Sequence, residues 1–163
     1  MSDKPEYKIG SPSEFTSADK KEFKELLVKQ GKVNTPTIEK INRCKYLCVC
    51  IVNNKIVSIG AIKPATSFDF DNKHADLDSM GQDFKIELGY CYTEPAHTGK
   101  GYSSQIVKLL LSKCASKKIM ASTELVSTNK MIGILERAGF KRYGKEWKSN
   151  IHGGKLGLFL LTP

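Results

Sequence analysis

Residues 94–105 read Glu94-Pro95-Ala96-His97-Thr98-Gly99-Lys100-Gly101-Tyr102-Ser103-Ser104-Gln105. A β-rich run, Lys85 to Thr93, leads into them. A helical pattern from Gly101 to Lys117 leads out, with Ile106, Val107, Leu110, Leu111 and Cys114 as its apolar face. A strand therefore ends, two closely spaced glycines permit a tight turn, and a long helix begins. The first N–H groups of such a helix lack intrahelical partners and carry the positive end of its dipole, so they can hold a phosphate or pyrophosphate. Glycine at the turn leaves room for a ligand to approach the backbone. The stretch is not a Walker-type loop, because Gly154-Lys155 is followed by Leu156 and no GxxxxGK[ST] occurs. It is not a dinucleotide fingerprint either, since the third glycine is missing. On local physics alone, an anion site and a plain structural turn both remain open.

Outward from this stretch the pattern alternates between strands and helices. Tyr7 to Ile9 reads as a short strand, and Ser17 as the cap of a helix reaching Gln30, with Phe23, Leu26 and Leu27 on one face and Gly31 as its stop. Thr35-Pro36 introduces a short helix, Thr37 to Arg43. Lys45 to Val52 and Ile56 to Ile62 read as strands of a hairpin turned at Asn53-Asn54-Lys55. The acidic, unperiodic segment Thr66 to Asp83 reads as an exposed loop. Downstream come a strand from Ile119 to Val126, a helix from Asn129 to Ala138 stopped by Gly139, and strands Lys141 to Trp147 and Lys155 to Leu161. This order predicts one α/β domain over residues 1–163, with a mixed, mostly antiparallel sheet flanked by helices.

Composition narrows the function. The chain has 163 residues with 40% hydrophobic and 26% charged side chains, the balance of an ordinary globular protein. No apolar run reaches the ~20 residues of a membrane span, and the charged N-terminus does not read as a signal peptide, so a soluble, cytoplasmic protein is expected. The five cysteines show no CxxC and no Cys/His cluster at zinc spacing, which predicts free thiols and no metal. Net charge is +9, unevenly spread. Residues 66–94 hold 2 Lys/Arg against 7 Asp/Glu, whereas residues 95–163 hold 12 against 3. The basic part suits a polyanion or a phosphorylated small ligand, and no recognisable nucleic-acid motif accompanies it.

The stretch resembles the phosphate loop of the GNAT superfamily of acyl-CoA-dependent N-acyltransferases, P-x-x-(R/Q)-G-x-G-x-(G/A), with Pro95, Thr98, Gly99, Lys100, Gly101 and Ser103 on the pattern. Thr128-Asn129-Lys130-Met131-Ile132-Gly133-Ile134-Leu135-Glu136-Arg137-Ala138-Gly139-Phe140 is similar to a second motif of that family, N-x-x-(A/M)-x-x-(L/I)-x-x-x-x-G-F. The resemblance implies a GNAT-like fold and transfer of an acetyl group from acetyl-CoA to a primary amine of a small molecule or protein, by direct attack in a ternary complex. It implies that Thr98, Gly99, Lys100, Gly101, Tyr102 and Ser103 hold the pyrophosphate, and that Asn129 contributes from the second motif. The strand backbone around Tyr90, Cys91 and Tyr92 would hold the pantetheine and polarise the thioester carbonyl.

Departures from the family pattern bear on chemistry. Thr98 stands where Arg or Gln is usual, Ser103 adds a hydroxyl donor at a small-residue position, and Leu135 stands where many members carry the tyrosine that protonates the leaving thiolate. Asn129 is shifted by one, with Thr128 in the expected slot. Glu87, mid-strand and by period-two alternation opposite Ile86, Leu88, Tyr90 and Tyr92, is the candidate general base, with a solvated carboxylate as the bland alternative. Tyr92, with Tyr90 beside it, is the candidate acid, although strand tyrosines commonly pack. His97 reads as an exposed loop histidine, and His74 and His152 likewise. Cys91 has no base partner, so no covalent acyl-enzyme is expected. A homodimer stays open. The rival reading from another class is a catalytically impaired GNAT-like protein that binds nucleic acid through its basic surface.

Overall fold

Asn53 and Asn54 both take left-handed backbone, with φ 52° and 63°, and close the hairpin read from the sequence. The computed structural model describes residues 4–163. Its strands are β1 (Glu6–Gly10), β2 (Tyr46–Val52), β3 (Lys55–Pro64), β4 (Ile86–Thr93), β5 (Ile119–Glu124), β6 (Lys141–Lys148) and β7 (Lys155–Leu161). Its helices are α1 (Ser17–Gln30), α2 (Ile38–Asn42), α3 (Asp78–Gly81), α4 (Tyr102–Ser112) and α5 (Lys130–Arg137), with 3-10 turns at Pro12–Glu14, Ser67–Phe70 and Pro95–His97. The strands form one sheet in the order β1-β2-β3-β4-β5-β7-β6. The β1–β2, β2–β3, β5–β7 and β6–β7 ladders are antiparallel, whereas β4 and β5 pair in parallel at Ile86↔Ile119 and Glu87↔Met120. The mixed α/β, mostly antiparallel expectation is met.

Two compact units build the chain: Met1–Lys63 with Leu88–Lys113, and Pro64–Glu87 with Cys114–Pro163. In the first, α1 lays Phe23, Leu26 and Leu27 against Ile41 of α2 and Leu47, Val49 and Ile59 of the hairpin. The cap of α1 is Thr16, not Ser17. Thr16 Oγ1 accepts the Asp19 N–H at 3.0 Å and Asp19 Oδ2 accepts the Thr16 N–H at 3.2 Å, a reciprocal box that leaves Ser17 as the first helical residue. Helix α4 packs on β1 and β2, burying Ile106, Val107 and Leu110. It ends at Ser112, short of the expected Lys117; Leu111 is half-buried, whereas Cys114, past the helix end, is buried. Cys44, Cys48, Cys50 and Cys114 are buried free thiols, and burial pushes those of Cys44 and Cys48 up to about 12.

In the second unit, Thr66 to Asp83 is not an exposed loop. Phe70, Ala75 and Phe84 join Met120, Trp147, Leu158 and Leu160 in a core, with Leu77 and Met80 packed against it. Two short helical turns and the backbone between them share these apolar residues, so no single period runs through the segment. Its main chain is tied by Ala75 N–H to the Asp69 carbonyl at 2.9 Å and Leu77 N–H to the Phe70 carbonyl at 2.7 Å. It also reaches the edge strand β6, where Lys145 N–H donates to the Ala75 carbonyl at 2.9 Å. His74 is half-buried, not exposed: Nδ1 lies 2.5 Å from Asp71 Oδ1 and the ring meets Trp147 edge-on at 5.5 Å. That bond holds the Asp71 carboxyl below the usual carboxylate range. The segment is a strap folded onto β6 and β7.

Candidate active site

The turn before α4 is built by two left-handed glycines, Gly99 at φ 78° and Gly101 at φ 80°. A Cβ on either would meet nothing within 4 Å, so these positions demand glycine for conformation while their surroundings stay open. Gly101 caps α4 without any side-chain hydrogen bond. The amides of Tyr102, Ser103 and Ser104 thus open the helix with no intrahelical acceptor. The side chains of this stretch are otherwise engaged. Thr98 Oγ1 donates to the Pro95 carbonyl at 3.0 Å, Tyr102 is buried at 7% exposure, and Ser103 Oγ lies 2.7 Å from Thr93 Oγ1. Lys100 is exposed. What the turn offers an anion is backbone N–H groups, with Lys100 as an exposed side-chain charge. His97 is half-buried against the Tyr102 ring at 6.5 Å, which corrects its reading as an exposed histidine.

Strand β4 supplies the second feature. Tyr90 has φ 58°, left-handed backbone inside a strand and costly for an aromatic residue. Tyr90 and Tyr92 both pack against the core of the first unit, whereas Cys91 Sγ lies beside Gly60, where α4 supplies Ile106 and Leu110. The Cys91 carbonyl is held by Gln30 Nε2 at 2.9 Å, so the end of α1 is tied to the strand just past the kink. Lys29 Nζ makes a second tie, 2.7 Å from Glu94 Oε1. Burial pushes the Cys91 thiol up to about 12, which keeps it protonated and a poor nucleophile. Sequence reading missed the kink and the Gln30 tie. Gly89, a glycine inside a strand run, was the one signal for the first.

Glu87 and Asn129 belong to the second unit. Glu87 is 8% exposed and its Oε1 accepts the Thr66 N–H at 2.9 Å, so it is no solvated surface carboxylate. Asn129 caps α5: Oδ1 accepts the Met131 N–H at 3.0 Å, while Nδ2 donates to Thr123 Oγ1 at 2.9 Å and to the Glu124 carbonyl at 2.7 Å. Its side chain is engaged on both ends. Leu135 is wholly buried. Among the described residues, no group of three or more His, Cys, Asp or Glu could hold a metal ion, and no helix is long and apolar enough to cross a membrane.

Known structures share this architecture. An acyl-CoA N-acyltransferase from Pseudomonas aeruginosa superposes with a TM-score of 0.72 at 8% identity, covering 98% of this chain and 100% of its own. YncA from Salmonella typhimurium, solved with its cofactor acetyl-CoA, gives 0.64 at 15% identity over 97% of this chain and 93% of its own. NAA60 of Arabidopsis thaliana, in complex with a bisubstrate analogue, gives 0.67 at 7% identity over 95% and 97%. At such identities these likenesses speak for the fold. No curated protein matches the sequence. The sequence signature of one family does match, over residues 12–140, a span that includes the glycine turn, the kinked strand and the Asn129-capped helix. The chain belongs to the acetyltransferase (GNAT) family.

Proposed function

We propose that the protein is an acetyl-CoA-dependent N-acetyltransferase working as one domain on a primary amine. The observation that carries this reading is the uncapped start of α4 behind two left-handed glycines, immediately downstream of a strand kinked at Tyr90. The residues fit acetyl-CoA as substrate. Backbone amides of Tyr102 and Ser103, the open turn at Gly99 and Gly101, and the charge of Lys100 suit its pyrophosphate. The β4 backbone at Tyr90, Cys91 and Tyr92 suits the pantetheine arm. Acetyl-CoA supplies the activated acyl carbon. Glu87 takes the proton that an ammonium must shed before its nitrogen can form the new C–N bond. As the C–S bond breaks, the Tyr92 hydroxyl returns a proton to the sulfur, the task for which Leu135 has no group. Because the Cys91 thiol is held protonated, the amine attacks directly.

Ligand-induced stabilisation tests the reading. Millimolar acetyl-CoA raises the Tm of the unaltered protein, by about 2.7 kcal/mol of stabilisation if the ligand is at 100 times its Kd. Gly101→Ala abolishes most of that rise, because the added methyl projects into the open space where a pyrophosphate would approach the amides. The variant also starts from a lower Tm, since left-handed backbone at a non-glycine residue costs on the order of 1–3 kcal/mol. An unaltered protein whose Tm ignores acetyl-CoA overturns the proposal.

The acceptor is cationic in this reading, gathered by the acidic strap. The structure narrows which carboxylates can serve. Asp69 is buried, Asp71 holds His74, and Asp76 lies 3.5 Å from Lys145 Nζ. Asp78 and Asp83 are exposed. Replacing both by Asn raises KM for the amine several-fold at low ionic strength and leaves KM for acetyl-CoA unchanged, with the gap closing as salt is added. An unchanged amine KM at low salt assigns these two charges to solubility.

A further inference from the structure

Ser58 on β3, Thr93 at the end of β4 and Ser103 in the first turn of α4 form an unbroken run of hydroxyls. Ser58 is wholly buried; its Oγ donates to the Tyr92 carbonyl oxygen at 3.2 Å and lies 2.7 Å from Thr93 Oγ1, which lies 2.7 Å from Ser103 Oγ. Each hydroxyl has one proton, and a carbonyl can only accept. With the Ser58 proton on the Tyr92 carbonyl, Thr93 must donate to Ser58 and Ser103 must donate to Thr93. The order is therefore fixed: Ser103 to Thr93 to Ser58 to the Tyr92 carbonyl. It also removes the hydroxyl of Ser103 as a phosphate donor, the use expected from sequence.

A buried hydroxyl costs stability unless it is satisfied, and the flanking residues Val57 and Ile59 show that this part of β3 is otherwise apolar and buried. Three hydroxyls in series are a costly way to pack a sheet under a helix. What they achieve is geometric: two 2.7 Å contacts, well-formed O–H···O bonds, join β3 to the end of β4 and that end to the first turn of α4. In a buried, low-dielectric setting such chains stiffen cooperatively. The two ends of the run are the helix turn assigned to the pyrophosphate and the peptide assigned to the pantetheine arm.

We propose that Ser58 and Thr93 are positioning residues that fix the spacing between these two subsites, so that one acetyl-CoA engages both at once. The inference rests on the acetyl-CoA reading above. A ligand with two anchoring ends gains from simultaneous contact only where the spacing of the sites matches its own length. Loosening the run should thus harm the whole ligand and spare its halves.

Calorimetric titration of the 163-residue chain with acetyl-CoA, ADP and S-acetylpantetheine tests this. Thr93→Val deletes the central hydroxyl at nearly constant volume. Acetyl-CoA affinity falls about three- to tenfold, the size of one lost hydrogen bond, while ADP and S-acetylpantetheine each stay within about twofold. Thr93→Ser restores the acetyl-CoA value. Ser103→Ala, at the outer end of the run, gives the same pattern and serves if Thr93→Val does not fold. A lower Tm with acetyl-CoA affinity intact, or an equal loss for all three probes, overturns the proposal and leaves the run a packing feature. An unaltered protein that binds none of the probes instead overturns the acetyl-CoA reading, independently of any variant.

Discussion

With Glu87 as the proposed base, Glu87→Gln is expected to lower kcat about 10²–10⁴-fold, the range for loss of a general base. The substitution is informative because the fold gives the carboxylate a second task. Glu87 Oε1 accepts the Thr66 N–H at 2.9 Å and thereby anchors the first residues of the strap. A glutamine carbonyl oxygen accepts the same bond, so the strap keeps that tie and Tm changes little. Only the ability to take a proton disappears. Steady-state rates, read as free thiol released from acetyl-CoA in the presence of an amine, therefore separate the two tasks. Glu87→Ala serves as the contrast, losing both the base and the anchor, with a falling Tm as well as a falling rate. A Glu87→Gln protein that keeps nearly full activity assigns this carboxylate to anchoring alone.

Gly144→Val detaches the strap from β6, with a loss of stability on the order of 3–5 kcal/mol, the upper end for a single substitution. Two independent effects add at this position. Gly144 has φ 74°, where a β-branched residue is strained by roughly 1–3 kcal/mol. A Cβ there would also sit 2.3 Å from the Ala75 carbonyl oxygen, the acceptor of the Lys145 N–H, so main chain rather than a pliable side chain must move. Displacing Ala75 also disturbs its neighbours, His74 against Trp147 and Asp76 beside Lys145. Trp147 is the one tryptophan in the chain, so its fluorescence reports the detachment directly. Urea unfolding should show a lower midpoint, together with a red-shifted emission already present without denaturant. A Gly144→Val protein with unaltered emission and midpoint means that the strap is held by its apolar residues alone.

Much of the fold was legible because the signals are local. The Asn53-Asn54 turn, the Phe23, Leu26 and Leu27 face of α1 and the glycine turn before α4 depend on residues only a few positions apart. The strap was not legible. Phe70, Ala75 and Phe84 are spaced for neither helix nor strand, and only Trp147, Leu158 and Leu160, more than sixty residues downstream, reveal what they cover. The same holds at single residues. Thr16 won the cap of α1 from Ser17 through a partner three residues away, a choice that a Thr-x-x-Asp pattern could have disclosed.

The sequence by itself determined the order of the seven strands and of α1, α2, α4 and α5, the membership of a family and the position of a helix start behind two glycines. Those follow from backbone preference and hydrophobic period, which neighbouring residues set. Tertiary structure alone decided how each polar group is spent. Thr98 turned its hydroxyl to Pro95, Asn129 committed its amide to the cap of α5, and Ser103 gave its proton to a run ending at the Tyr92 carbonyl. A hydroxyl or amide pairs with whatever the fold brings within about 3 Å of it: Ser103 meets Thr93 of β4 and Asn129 Nδ2 meets Thr123 of β5, whereas Thr98 and Asn129 Oδ1 find partners two or three residues along the chain.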